Sequence, residues 1–106
     1  MIDEVTINKA VELLRSSTQL TRVILFGSYA RGDKRTDSDV DLLVVIKDVH
    51  DRFKEMVRLN RILSPLHMPV DLIVIDENTF RYWCDTPGNI YSAALAEGKV
   101  LYEKAA

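Results

Sequence analysis

The segment Val40–Ile46, with the sequence VDLLVVI, constrains the fold of this chain more than any other part of it. Beyond Asp41 every residue in the segment is apolar. Because successive side chains of a strand point to opposite faces, a strand formed here has both of its faces buried. We therefore expect this segment to be a central strand of a sheet.

Two further segments predict strands, and two predict helices of more than ten residues. Residues 21–26 (TRVILF) and 70–75 (VDLIVI) are rich in β-branched residues and are bounded by Gly or Pro. Residues 3–16 carry an approximately helical apolar stripe, and residues 51–63 separate an apolar face from a basic one. The resulting order of elements is helix, strand, strand, helix, strand.

The last third of the chain predicts shorter elements. A short helix is expected around residues 78–83, and residues 99–103 (KVLYE) suit an edge strand. Between them a last helix is expected, with Thr86 as its N-cap, Pro87 at its first position and Gly98 just past its end. The whole order favours an α/β (α+β) fold, in which helices flank a small mixed β-sheet.

Size and composition exclude several classes of protein. The 106 residues predict one domain, spanning residues 1–106, and 47% hydrophobic residues argue against a disordered tail. A net charge of −2 disfavours binding of duplex nucleic acid as the main role. The single cysteine, Cys84, can form no internal disulfide and offers no zinc-binding spacing. No apolar run approaches the length of a membrane helix, and the acidic N-terminus lacks a signal-peptide pattern, so we expect a cytoplasmic protein.

Acidic residues open two of the predicted strands. Asp39 and Asp41 lie two positions apart, so their side chains project to the same face at the start of the central strand. Two like charges so close together are costly unless a cation neutralises them, and carboxylate oxygens suit Mg²⁺ above all. Asp71 opens the third strand and reaches the same face if the two strands are neighbours. The three carboxylates would then surround one or two metal ions.

Gly27 and Ser28 follow the first predicted strand, where the chain must turn sharply. Glycine permits such a turn and a close backbone approach, while the following amides and the Ser28 hydroxyl are available as donors to an anion. An anion-binding turn beside a carboxylate and metal site is what the binding of a nucleoside triphosphate requires.

These residues together resemble the nucleotidyltransferase superfamily typified by DNA polymerase beta. Gly27-Ser28, ten residues and then Asp39-x-Asp41 reproduce its Gly-Ser-x10-Asp-x-Asp signature, and the stretch GSYARGDKRTDSDVDLLV resembles the minimal nucleotidyltransferases, or MNT proteins. The resemblance implies a polymerase-beta palm-like fold. It also implies that Asp39 and Asp41 are metal ligands, and that Asp71 is a third carboxylate that orients or deprotonates the acceptor hydroxyl. Gly27 and Ser28 would then bind the triphosphate.

The basic residues of the chain leave alternatives open. Arg31, Lys34 and Arg35 either contact phosphate or are solvated loop charges, and Arg31 is the strongest candidate because it follows Gly-Ser. The face formed by Lys54, Arg58 and Arg61 is either a solvated helix surface or a docking surface for an acidic partner or RNA.

The resemblance implies an enzyme that transfers a nucleoside monophosphate, AMP from ATP with Mg²⁺, to a hydroxyl. Minimal nucleotidyltransferases are commonly paired with a small helical HEPN protein in toxin–antitoxin modules, where the nucleotidyltransferase is the antitoxin and modifies a tyrosine of its partner. A hetero-oligomer with such a protein is therefore expected. Two alternatives remain: a nucleotide-binding partner subunit without catalysis, and a nucleotidyltransferase acting on a small molecule.

Overall fold

The computed structural model of the chain describes residues 3–27 and 39–104. This part contains four α-helices and four strands, and a short 3-10 turn, Ser64–Leu66, follows the second helix. In chain order the elements are α1 (Glu4–Ser17), β1 (Leu20–Phe26), β2 (Val40–Ile46), α2 (Arg52–Leu63), β3 (Val70–Asp76), α3 (Glu77–Trp83), α4 (Ile90–Glu97) and β4 (Lys99–Glu103). The mixture of helices and strands predicted from the sequence is confirmed.

The strands form one mixed sheet in the order β3-β2-β1-β4. β2 pairs with β1 in the antiparallel sense and with β3 in the parallel sense, and β4 pairs antiparallel with β1. The predicted central position of Val40–Ile46 is therefore confirmed, as is the edge strand Lys99–Glu103. β1 and β2 have hydrogen-bonded neighbours on both sides, whereas β3 and β4 are the outer strands.

Alternate residues of β2 face two separate apolar layers. Leu42 and Val44 pack in a cluster with α1 and α2, which contribute residues such as Leu14 and Leu59. Leu43 and Val45 pack on the opposite face, in a cluster with Phe80 of α3 and Ala94 of α4. The sheet is therefore covered by helices on both faces, which accounts for the apolar character of β2 on both sides.

The predicted start of the last helix is wrong. Thr86 and Pro87 lie in the turn between α3 and α4, and Asn89 is the N-cap. The Asn89 side chain accepts hydrogen bonds from the backbone N–H groups of Tyr91 and Ser92, at 2.9 and 3.0 Å. Its amide group donates to the carbonyl oxygens of Trp83 and Thr86, so one side chain both closes the turn and begins the helix. Gly98 follows the helix as predicted.

Candidate active site

Gly27 lies directly against the side chain of Asp41. Its backbone has φ of +74°, in the left-handed region that favours glycine. A Cβ atom built on Gly27 would overlap the Asp41 carboxylate oxygen Oδ2 and lie 3.2 Å from Cγ. Both the backbone conformation and the space therefore require glycine at the end of β1.

The strand register places Asp71 beside Asp41. Asp41 of β2 pairs with Phe26 of β1 on one side and with Asp71 of β3 on the other. Neighbouring strands lie about 4.8 Å apart, and paired residues project to the same face, so the two carboxylates are close neighbours. Asp41 is half-buried and Asp71 is exposed. The predicted placement of Asp71 on the same face as Asp41 is confirmed by this register.

Asp39 immediately precedes β2 and is exposed. It lies two positions before Asp41, where the alternation of an extended chain directs it towards the same side as Asp41. Ser28 and Arg31 fall outside the described residues, as do Lys34 and Arg35. Their contacts with phosphate therefore stay predictions. We call Asp39, Asp41 and Asp71 the acidic row.

The acidic row has the donor chemistry of a magnesium site. Among residues 3–27 and 39–104, no group of three or more His, Cys, Asp or Glu side chains is arranged to hold a metal ion by itself. Mg²⁺ retains several waters and commonly takes only one or two carboxylates, with substrate phosphates completing its coordination. Two carboxylates of the acidic row therefore fit an ion that arrives with a nucleotide. The assignment of the row as metal ligands stays a prediction.

An apolar row supports the acidic one. Two positions further along each strand, Leu43 and Ile73 lie on the same face as Asp41 and Asp71, and Ile24 pairs with Leu43 from β1. Ile24 and Leu43 are fully buried, whereas Ile73 is half-buried. The strands that carry the carboxylates are thus held by packed side chains beneath them. Ile73 was not among the predicted site residues, although its position two residues after Asp71 indicates the shared face.

A second polar cluster lies at the opposite end of the sheet. The Thr21 hydroxyl donates to the Glu77 carboxylate, and Arg81 forms an ion pair with it at 3.0 Å. Burial raises the pKa of Glu77, but the hydrogen bonds from Thr21 and Arg81 and the charge of Arg22 outweigh that effect and leave the pKa lower than usual. The Arg22 guanidinium lies over the Phe80 ring, 4.8 Å from its centroid. These contacts attach α3 to β1.

A concavity of about 740 Å³ lies on the outer side of α1, where Val5, Lys9 and Leu13 line it with Leu66. Because α1 covers the face of the sheet opposite the acidic row, this concavity is separate from the candidate site. In the described part of the chain, no helix is long and apolar enough to span a membrane.

Curated proteins that resemble this chain in sequence are named protein adenylyltransferases. The chain is 34% identical to "Putative protein adenylyltransferase MJ0604" of Methanocaldococcus jannaschii over 96% of this chain and 100% of that protein. It is 34% identical to the protein adenylyltransferase MntA of Shewanella oneidensis over 62% of this chain. The chain spans 48% of the length of MntA, and 56% of the length of a second M. jannaschii relative, "Putative protein adenylyltransferase MJ0141".

Two solved structures with the same fold come from toxin–antitoxin complexes. A chain in the crystal structure of a toxin–antitoxin with AMP-PNP matches with a TM-score of 0.67 at 26% identity, over 97% of this chain and 75% of that one. A second match is a chain in the complex of the tri-AMPylated S. oneidensis HEPN toxin with MNT antitoxin. Its TM-score is 0.61 at 25% identity, over 97% of this chain and 74% of that one.

The family assignment rests on nearly the whole chain. The family described as polymerase beta, nucleotidyltransferase, matches residues 8–106, which include Gly27 and all three residues of the acidic row. The chain therefore belongs to the polymerase beta nucleotidyltransferase family.

Proposed function

We propose that this chain is a Mg²⁺-dependent nucleotidyltransferase that transfers AMP from ATP to a hydroxyl group of a partner protein. The observation that carries the proposal is the pairing of Asp41 with Asp71 beside the Gly27 turn. Two adjacent carboxylates on one face are suited to a divalent cation, and the Gly27 turn brings the end of β1 directly against the Asp41 carboxylate. The names of the relatives, protein adenylyltransferases, support AMP as the transferred group.

The reaction is a displacement at phosphorus. The acceptor hydroxyl oxygen forms a bond to the α-phosphorus of ATP, the bond from that phosphorus to the oxygen bridging to the β-phosphate breaks, and pyrophosphate leaves. In this proposal Asp71 orients the acceptor hydroxyl and accepts its proton, which then passes to water. Asp39 and Asp41 would hold Mg²⁺. The bound ion would neutralise charge on the phosphates and lower the pKa of the attacking hydroxyl.

The acceptor in this proposal is a tyrosine of a HEPN-type helical protein, and the chain is the antitoxin of the pair. The matching chains from toxin–antitoxin complexes support this assignment, in particular the complex in which the HEPN toxin is tri-AMPylated. Such a pair would be a hetero-oligomer in the cytoplasm. The adjacent carboxylates of Asp41 and Asp71 favour catalysis over a purely binding subunit, because binding a partner does not by itself require paired carboxylates.

The test is AMP transfer to a HEPN-type protein that binds this chain, measured by mass spectrometry after incubation with ATP and Mg²⁺. Asp41→Asn keeps the shape of the side chain but removes a metal-binding charge, and we expect transfer to fall at least about 100-fold, corresponding to several kcal/mol of transition-state stabilisation. Asp48→Asn is the matched control, since Asp48 is an exposed aspartate just beyond the other end of β2. If wild type and Asp41→Asn bind the partner equally and neither modifies it, the chain is a binding subunit.

A further inference from the structure

Among the described strands, β3 is paired on one side only, by β2. β3 is the first strand in the order β3-β2-β1-β4, and within residues 3–27 and 39–104 no strand pairs with its outer side. The N–H of Val40 donates to the carbonyl oxygen of Pro69 at 2.9 Å. The alternation of a parallel ladder then directs the N–H groups of Ile73 and Ile75 towards β2, and those of Leu72 and Val74 outwards.

A groove runs along this edge. Leu72, Ile73 and Val74 line one side of it, and Phe53 and Met56 of α2 line the other, with a volume of about 280 Å³. Phe53 is 69% exposed, although it is a large apolar side chain. An added strand at the edge of β3 would therefore gain backbone hydrogen bonds on one side and an apolar wall beneath it.

The other outer strand is less suited to pairing. β4 has five residues and carries Lys99 and Glu103 at its ends, and charges on short edge strands discourage pairing with another chain. β3 has seven residues, and the four from Leu72 to Ile75 carry no charge. Of the two outer strands, β3 is the one that begins at the acidic row, because Asp71 is its second residue.

We propose that an extended segment of the acceptor protein pairs with the outer edge of β3 and thereby presents its acceptor hydroxyl to Asp71. This inference rests on the proposed function. In a strand added to this edge, the residue opposite Asp71 projects to the face of the acidic row, from a backbone about 4.8 Å away. A tyrosine side chain is longer than this distance between neighbouring strands, so its hydroxyl could extend over Asp71 towards Asp41.

The same geometry defines the chemical class of the segment. The two residues flanking the tyrosine project to the opposite face, which is the face that Leu72 and Val74 share with α2. Those flanking side chains would contact Phe53 and Met56, so apolar residues are favoured there. The segment is therefore an extended stretch in which a tyrosine lies between two apolar residues.

Hydrogen exchange of individual amides tests the pairing without depending on catalysis. We expect the amides of Leu72 and Val74 to exchange quickly in the free protein and at least about tenfold more slowly when the HEPN-type protein is bound. The amides of Ile73 and Ile75 are the internal control, because they already donate to β2. Slowed exchange without any AMP transfer would contradict the proposed function alone. Transfer with unchanged exchange at Leu72 and Val74 would overturn the edge pairing.

Val74→Pro and Val74→Ala form a matched pair of variants. Both replace a buried valine, but only proline removes the outward N–H, and proline is tolerated at an edge strand on that side. We expect Val74→Pro to raise the KM for the HEPN-type protein about tenfold with little change in kcat, and Val74→Ala to stay within about threefold of wild type. Should Val74→Pro fail to fold, Phe53→Glu in the groove is expected to raise the same KM. An unchanged KM in a folded Phe53→Glu and Val74→Pro would refute the proposal.

Discussion

Asp41 and Asp71 lie opposite each other on two parallel strands, with their side chains on the same face of the sheet. Parallel neighbours in a sheet must be joined by a crossover, and here α2 provides it on the other face. The crossover therefore leaves the face that carries the two carboxylates free of α2. The acidic row is a consequence of this topology as much as of the residues themselves.

Asp71→Asn should separate the chemical step from nucleotide binding. Because Asp39 and Asp41 remain to hold Mg²⁺ and ATP, we expect kcat for AMP transfer to fall roughly 10²-fold or more, and the affinity for ATP to fall much less. Steady-state kinetics and calorimetry with ATP and Mg²⁺ measure the two quantities. Equal losses in kcat and in affinity would instead make Asp71 primarily a ligand of the metal-bound nucleotide.

Gly27→Ala should impair both stability and ATP binding. At φ of +74° an alanine costs about 1–2 kcal/mol of stability, and its Cβ would in addition displace the Asp41 carboxylate. Gly88→Ala is the matched control, since Gly88 has φ of +93° but no atom within 4 Å of the added Cβ. Denaturant unfolding should show a loss in both variants, whereas calorimetry should show weaker ATP binding in Gly27→Ala alone. Unchanged ATP binding in Gly27→Ala would mean that the carboxylate moves aside without consequence.

The sequence predicts a shared face for Asp39 and Asp41 because strand alternation and the spacing of the two residues are local properties of the chain. The pairing of Asp41 with Asp71 was predicted only on the condition that their strands are neighbours. That condition depends on how α2 crosses the sheet, and no short-range pattern determines it. The open edge of β3 was likewise beyond sequence reasoning, because an apolar run such as VDLIVI suits a central strand equally well.

The predicted start of α4 was wrong because Asn89, three positions after Thr86, is as suitable a cap residue as Thr86. Thr86 followed by Pro87 is a recognised N-cap pattern, and so is Asn89. Asn89 is the cap in the structure because its amide group also bonds the carbonyl oxygens of Trp83 and Thr86. The bond to Trp83 depends on where α3 ends, and the residues near Thr86 do not predict that position.

The two candidate caps differ in the predicted cost of their removal. Asn89→Ala loses four hydrogen bonds of one side chain, and we expect the free energy of unfolding to fall by about 1–2 kcal/mol. Thr86 is exposed and its hydroxyl bonds to none of the described residues, so Thr86→Ala should change stability by less than about 0.5 kcal/mol. Urea unfolding of both variants measures the difference. A larger cost at Thr86 than at Asn89 would restore the cap predicted from the sequence.

Stability should fall in acid partly because of Asp76, the N-cap of α3. The hydroxyl of Thr79 donates to Asp76 at 2.6 Å and its backbone N–H donates at 3.0 Å, and these bonds lower the pKa of Asp76 below its ordinary value of 3.8. A carboxyl whose pKa is lower in the folded state stabilises the protein above its unfolded pKa. That contribution is lost as the pH falls from about 4 through the lower folded value.

Thr79→Ala removes the hydroxyl donor and keeps the backbone N–H, so it should shift the pKa of Asp76 back towards 3.8. We expect it to reduce the free energy of unfolding by about 0.5–1.5 kcal/mol at pH 7, and by less at pH 3, which lies below the ordinary pKa of 3.8 that the carboxyl has in the unfolded chain. Urea unfolding at the two pH values measures both effects. In an Asp76→Asn background, which retains a capping side chain without a titratable group, Thr79→Ala should cost the same at both pH values. A pH-dependent cost in that background would assign the acid sensitivity to a group other than Asp76.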